Sequence, residues 1–402
     1  MAIILGSCSD ANKILVRLWT NKPEFTLYAE IYNRSQQKYK MEVFYIEKPY
    51  YELKESSSVP DLVAADYLSG KTSVTYFKPI DELFYDEKKN PEGIKAGFIY
   101  DGLLINCRTG PSTTLLPVSF NLPALIHRKN ENQSFSLSLD EIADVCADFN
   151  EINGDSAQHI GFSPTWPGGS VLYFINLSGF YFNENGSEAL FWDAEKLDSA
   201  IKDIIDWEDK INGPINAVTY FNSRYYNAPA YKLIAENRIL YDFISLRDFY
   251  AIPSEKRSGL DLTWIGRDDK IPVTEDVVYI GVHKQTLNEK GAKDFLRWFY
   301  KTGNQATIIK ESQMNRQRGF GILGGLSSIK ELNEAYIHEL YPDLVGKIPA
   351  EQNLVFPQPL PPQWPEIKSD VILPWLYNSL MRAPDQKGLK ETLHTWQIQH
   401  IE

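Results

Sequence analysis

Trp19-Thr-Asn21 stands at the carboxyl end of a short apolar run, residues 14–18, that reads as a buried strand. Ligands of open α/β sheets bind just outside such strand ends. Thr20 and Asn21 offer donors and acceptors for hydroxyl groups, and Trp19 offers a flat face for sugar C–H groups. The same stretch would also cap a helix started by Pro23, a role that suits Asn21. Trp166 lies between Pro164 and Pro167, and Trp264 lies between a strand-like run and Gly266. Both read as loop tryptophans, where function concentrates, and both are candidate stacking platforms. Tyr225-Tyr226 leaves three readings open: phenolate ligands of ferric iron, a ring facing a sugar, or packing. Iron would need further His or carboxylate ligands, and His127, His159 and His283 show no pairing in the sequence.

Catalytic patterns are missing. The glycine-rich Gly319-Phe-Gly-Ile-Leu-Gly-Gly-Leu-Ser-Ser328 lacks the Gly-Lys-Ser/Thr of a phosphate cradle, and Lys330 is misplaced for one. Neither a Gly-x-Ser-x-Gly elbow nor a His-Glu-x-x-His helix occurs. A glycosidase needs two carboxylates across one sugar, and Asp61, Asp66, Asp81 and Asp101 are too ordinary in an acidic chain to nominate a pair. The residues favour binding over turnover, with no cofactor and no metal.

The elements that must position these groups need more than one core, because 402 residues exceed the usual size of one domain. The net charge of −12 leaves no basic patch able to neutralise phosphates, which excludes nucleic acid as a partner. Aromatic residues make up 13% of the chain, enough to fill cores and still line a ligand site. Cys107 and Cys146 read as buried free thiols.

Residues 14–18, 41–46 and 62–65 read as strands, with a helix from Pro23 between the first two. Strand, helix and strand in close succession give a βαβ unit and a mainly parallel sheet. A further strand is predicted over 115–120. Helices are predicted over 138–150, 168–176 and 194–207, and near Pro374. Thr286-Leu-Asn-Glu289 has the spacing of a capping box, opening a helix that Gly303 ends. Pro357, Pro359, Pro361 and Pro362 impose an extended, surface-lying segment.

Five motifs follow one another in order: Ile14-Leu-Val-Arg-Leu-Trp-Thr-Asn21, Pro60-Asp-Leu-Val-Ala-Ala65, Leu116-Pro-Val-Ser-Phe-Asn-Leu-Pro123, Ala292-Lys-Asp-Phe-Leu-Arg-Trp298 and Gly319 to Ser328. The ordered set, over residues 12–380, resembles the extracellular solute-binding proteins of ABC importers, in their sugar-binding, maltose-binding-protein-like branch. The resemblance implies an α/β fold of two discontinuous lobes joined by hinge crossings. Lobe 1 would hold residues 10–120 and 275–320, and lobe 2 residues 121–274 and 321–402. The crossings would lie at 121–123, 270–275 and 319–325.

The same resemblance implies a ligand site in a cleft between lobes. Asp66, after the Pro-Asp-strand signature, would accept two sugar hydroxyls. Asn121 at the first crossing, Gly324 with its neighbours' amides, and Arg316 would contribute further contacts. Trp166, Trp264 and Tyr225 would supply the second lobe's rings. The partners implied are a carbohydrate solute and a membrane permease, with the chain acting as a monomer. Leu5-Gly-Ser-Cys8 resembles a bacterial lipobox at the tail of a signal peptide whose start is missing, with Cys8 lipidated at the cell surface or in the periplasm. Alternatives are a binder of a polyamine, glycerol phosphate or ferric ion, and a secreted glycan-acting enzyme.

Overall fold

The computed structural model describes residues 13–129, 134–166, 169–185, 188–315 and 319–400. The chain divides into two compact units. The first holds residues 1–121 and 276–348, and the second holds 122–275 and 349–402.

The first unit is built on a six-stranded sheet. Its order, edge to edge, is Leu326–Ser327, Leu115–Phe120, Val278–Val282, Leu62–Asp66, Ile14–Thr20 and Tyr39–Tyr45. Ile14–Thr20 pairs in parallel with both Tyr39–Tyr45 and Leu62–Asp66. The helix Phe25–Ser35 connects the first pair, burying Phe25, Tyr28, Ala29 and Tyr32 on one stripe. These strands are the predicted βαβ unit. The rest of the sheet is antiparallel, because Val278–Val282 and Leu326–Ser327 return from distant parts of the chain. The mainly parallel sheet inferred from local succession is therefore corrected to a mixed one.

Asp61 explains why Pro-Asp precedes the third strand. One carboxylate oxygen accepts the Arg17 amide at 2.8 Å, and the other accepts the Thr286 hydroxyl at 2.6 Å and the Asn288 amide at 3.0 Å. It ties the strand's entry to the start of the helix Glu289–Phe299. Thr286 is thus engaged by Asp61 and does not form the predicted capping box. Gly303 lies inside the next helix, Thr302–Met314, rather than ending the previous one.

The segment 321–348, expected in the second lobe, belongs to the first unit. Leu326–Ser327 pairs with Leu115–Phe120. Ser327 donates to Gln305 at 2.6 Å, and Asn333 holds the Ser327 backbone from both sides at 3.1 and 2.7 Å. This buried polar network fixes the segment in place. The third passage between units falls at 348/349, not at 319–325.

The second unit carries a four-stranded sheet in the order Asp242–Ser245, Pro123–Arg128, Leu260–Ile265, Ser136–Leu137. Around it lie the helices Leu139–Phe149, Ser170–Leu177, Ala194–Ile211, Ile215–Tyr225, Leu373–Leu380 and Leu389–His400. Ser138 and Glu141 form a reciprocal capping box on the first of these. Early in the proline-rich segment, Leu354–Val355 pairs with Ile271–Pro272. Glu275 ends the unit's first portion and reaches its last: it accepts from the Tyr173 hydroxyl at 3.2 Å and pairs with Lys368. Burial, the largest single influence, would raise its pKa, but the charge and hydrogen bond of Lys368 together with hydrogen bonds from the backbone and Trp364 outweigh it and hold the carboxyl below its ordinary value.

Cys107 and Cys146 are free and buried. No helix of the described residues is long and apolar enough to cross a membrane.

Candidate functional site

A short turn after the strand Ser156–His159 carries Ser163, Thr165 and Trp166. A buried glutamate organises it. Glu208, on the helix Ala194–Ile211, accepts the Thr165 hydroxyl at 3.1 Å and the Asn212 amide at 2.5 Å, and it also accepts the Ser163 hydroxyl. Burial raises its pKa, and these hydrogen bonds oppose the rise. The Trp166 amide donates to the Ser163 carbonyl at 3.2 Å, closing the turn.

So held, the Trp166 indole stacks on Phe221, with centroids 6.1 Å apart and planes 11° apart. Phe221 lies 4.8 Å from Tyr225, one turn on along the helix Ile215–Tyr225. The three rings form a row along one wall of a cavity of about 510 Å³, a volume typical of small-molecule sites. Asn222, Tyr226, Asp242 and Tyr377 complete its polar and aromatic lining. A smaller cavity of about 220 Å³ shares Thr165, Trp166 and Tyr377 and continues over Leu373 and Leu380. The Trp166 Nε1 is buried and has no hydrogen-bond partner among the described residues. Asp242 is half-buried, and desolvation of its carboxyl pushes its pKa up to about 7 against a bond from the Phe243 amide.

Trp166 and Tyr225 are therefore brought together by the second unit. Trp264 is not with them. It is fully buried within the strand Leu260–Ile265, opposite Ala124 and Ser136. This corrects its reading as a stacking platform: it is a core ring of the sheet, not a loop residue.

In the first unit, Asn21 and Asp66 meet at the carboxyl ends of their strands. Asn21 donates to one Asp66 oxygen at 2.9 Å, and Lys22 pairs with the other at 2.9 Å. The Asn21 side-chain oxygen is buried without a partner among the described residues. Asn21 does not cap the following helix, whose N-cap is Glu24. Thr20 is fully buried and its hydroxyl accepts from the Lys22 amide, so it shapes the turn rather than offering a free hydroxyl. Trp19 is 5% exposed between Phe44 and Val63, which corrects its reading as an open flat face.

Asn121 is buried against Gly325. Gly324, at φ +78°, sits in a buried turn whose Gly321 and Leu323 amides are taken by the hydroxyls of Tyr341 and Tyr28. Those amides are committed inside the unit, contrary to the reading that they face a ligand. Arg316 and Cys8 lie outside the described residues. Among the described residues, no group of three or more His, Cys, Asp or Glu side chains could hold a metal ion.

The sequence reading missed Phe221, Asn222, Asp242 and Tyr377. Phe221 carried a signal, since Ala217, Val218 and Phe221 mark one helical face. Asp242 carried none, because its surroundings come from residues distant in sequence.

No protein-family model matches the chain, and no curated protein does. Solved structures do. An ABC substrate-binding protein from Listeria monocytogenes, in complex with cycloalternan, superposes with a TM-score of 0.66 at 12% identity, covering 96% of this chain and 99% of that one. CpMnBP1 with mannotriose bound gives 0.65 at 12% identity, covering 95% and 99%. The cyclic alpha-maltosyl-1,6-maltose binding protein of Arthrobacter globiformis gives 0.64 at 13% identity, covering 95% and 96%. The fold is that of the two-lobed ABC solute-binding proteins. The likeness runs the full length of both partners, so both units and the order of their segments belong to it. At such identities the match speaks for the fold.

Proposed function

We propose that this chain is the substrate-binding component of an ABC importer and that it captures a sugar or oligosaccharide without turning it over. The observation that carries the reading is the row of Trp166, Phe221 and Tyr225 along a ligand-sized cavity. Aromatic faces suit the C–H faces of sugar rings, and nearby Asn and Asp groups suit their hydroxyls. The fold supports it, since two of the similar structures above carry mannotriose and cycloalternan and the third is a cyclic alpha-maltosyl-1,6-maltose binding protein.

On this reading the three passages between units, at 121/122, 275/276 and 348/349, serve as the hinge. Ligand favours one arrangement only through its differential affinity for the alternatives. A membrane permease reads that arrangement. The protein works outside the cytoplasmic membrane as a monomer, anchored through a lipidated Cys8. Asn21, Lys22 and Asp66 form a second polar cluster that can present hydroxyl-binding groups from the first unit.

Thermal unfolding with a panel of mono-, di- and oligosaccharides tests the proposal. A sugar at about 100 times its dissociation constant adds about 2.7 kcal/mol and raises the midpoint. The sugar is then recovered intact. Stabilisation by ferric ion or glycerol phosphate alone, or consumption of the sugar, would refute the reading.

A further inference from the structure

The charge of the cavity wall is one-sided. Among the described residues its lining includes the rings of Trp166, Phe221, Tyr225, Tyr226 and Tyr377, one carboxylate, Asp242, and no Lys, Arg or His. Resting on the sugar-binding reading, we propose that this cavity selects a sugar bearing a protonated amine, whose ammonium sits between Asp242 and the aromatic wall.

Ring faces attract cations through their quadrupole, most strongly where water is displaced. Tyr225 already does so at the rim, where the exposed Arg224 guanidinium lies 5.4 Å from its centroid. A half-buried carboxylate that has no basic side chain beside it on the cavity wall among the described residues is costly to keep ionised, and a ligand ammonium supplies the missing charge through a charge-assisted hydrogen bond. The carboxyl's raised pKa agrees with an uncompensated environment.

The neighbours of Asp242 do not supply that charge. Across the sheet it faces Ile126. His127, next along that strand, turns its Nδ1 to the Arg128 carbonyl at 2.9 Å. Arg238 is directed at His159, 3.3 Å away. The other titratable groups on the wall are the phenols of Tyr225, Tyr226 and Tyr377. A single carboxylate matches one ammonium rather than a polyamine chain, which needs several converging acids.

The test is calorimetric titration of the full chain with glucosamine oligomers, their N-acetylated forms, neutral glucose oligomers and spermidine. The amine-bearing sugar is expected to bind at least about ten-fold tighter than its N-acetylated and neutral counterparts. In Asp242→Asn, checked for folding by its thermal midpoint, that ratio collapses toward one. Equal affinity for charged and neutral sugars overturns the inference while leaving sugar capture intact, as does an amine preference that survives in Asp242→Asn. Binding of spermidine but of no sugar, or of nothing in the panel, overturns the sugar-binding reading itself.

Discussion

The Trp166 indole lies nearly parallel to the Phe221 ring, at 11° and 6.1 Å, while its own Nε1–H finds no acceptor among the described residues. One ring is therefore packed on one side and unsatisfied at one edge. Trp166→Phe keeps most of the packing and removes the donor. It should weaken sugar binding by about 1 kcal/mol, the worth of one hydrogen bond, with little change in the thermal midpoint. Titration of the two proteins side by side checks this.

Trp264→Ala should behave in the opposite way. The ring is wholly buried in the sheet of the second unit, so its loss costs about 3–5 kcal/mol of stability. Denaturant unfolding measures the loss. Wild-type stability in this variant would mean that the ring does not fill the core described here.

Glu275 couples stability to pH. Its pKa is held below the ordinary value when folded, so its ionised pairing with Lys368 contributes fully above the unfolded value. That contribution disappears as pH falls through the folded pKa. Glu275→Gln should therefore lower the thermal midpoint at pH 7 and differ progressively less from wild type as the solution is acidified.

Asp242 has the opposite sign. Its carboxyl is raised to about 7 from an ordinary 3.8, so the folded state holds a proton that the unfolded chain has already lost. Ionisation of this group costs stability as pH rises between those two values. In the absence of ligand, Asp242→Asn should raise the thermal midpoint at pH 8 more than at pH 4, as differential scanning would show.

Gly321 is tightly constrained within the glycine-rich segment. It adopts φ +51°, and an added Cβ would lie 2.1 Å from the Gly325 carbonyl oxygen. Gly321→Ala should destabilise by more than about 1 kcal/mol, whereas Gly346→Ala pays only for its positive φ because nothing stands near its Cβ. Paired denaturant curves separate the two costs.

The sequence made the first βαβ unit legible because residues 14–18 and 41–46 read as strands on either side of a helix with a buried apolar stripe. The ordered motifs also pointed to the fold that the structural neighbours share. Pairing between distant segments was not legible. Val278–Val282 inserts antiparallel between two earlier strands, and nothing local announces it. Thr286 has capping-box spacing but meets Asp61, 225 residues away, first. The loop at 319–325 has the glycines of a hinge, yet they serve a tight buried turn. At the site, Trp166 and Tyr225 were readable as large polar-tipped rings, while Asp242 matters only because the fold sets it beside them.

The most direct test of sugar capture in the second unit's aromatic cavity is a titration of wild type, Trp166→Ala and Tyr225→Ala with the oligosaccharide that stabilises the protein best. Tyr225 is half-exposed, so its variant reports on binding even if Trp166→Ala is poorly folded. Removal of a stacking ring should weaken binding by about 1–3 kcal/mol, roughly five- to 150-fold. A folded Tyr225→Ala protein that binds the sugar as tightly as wild type would contradict the account.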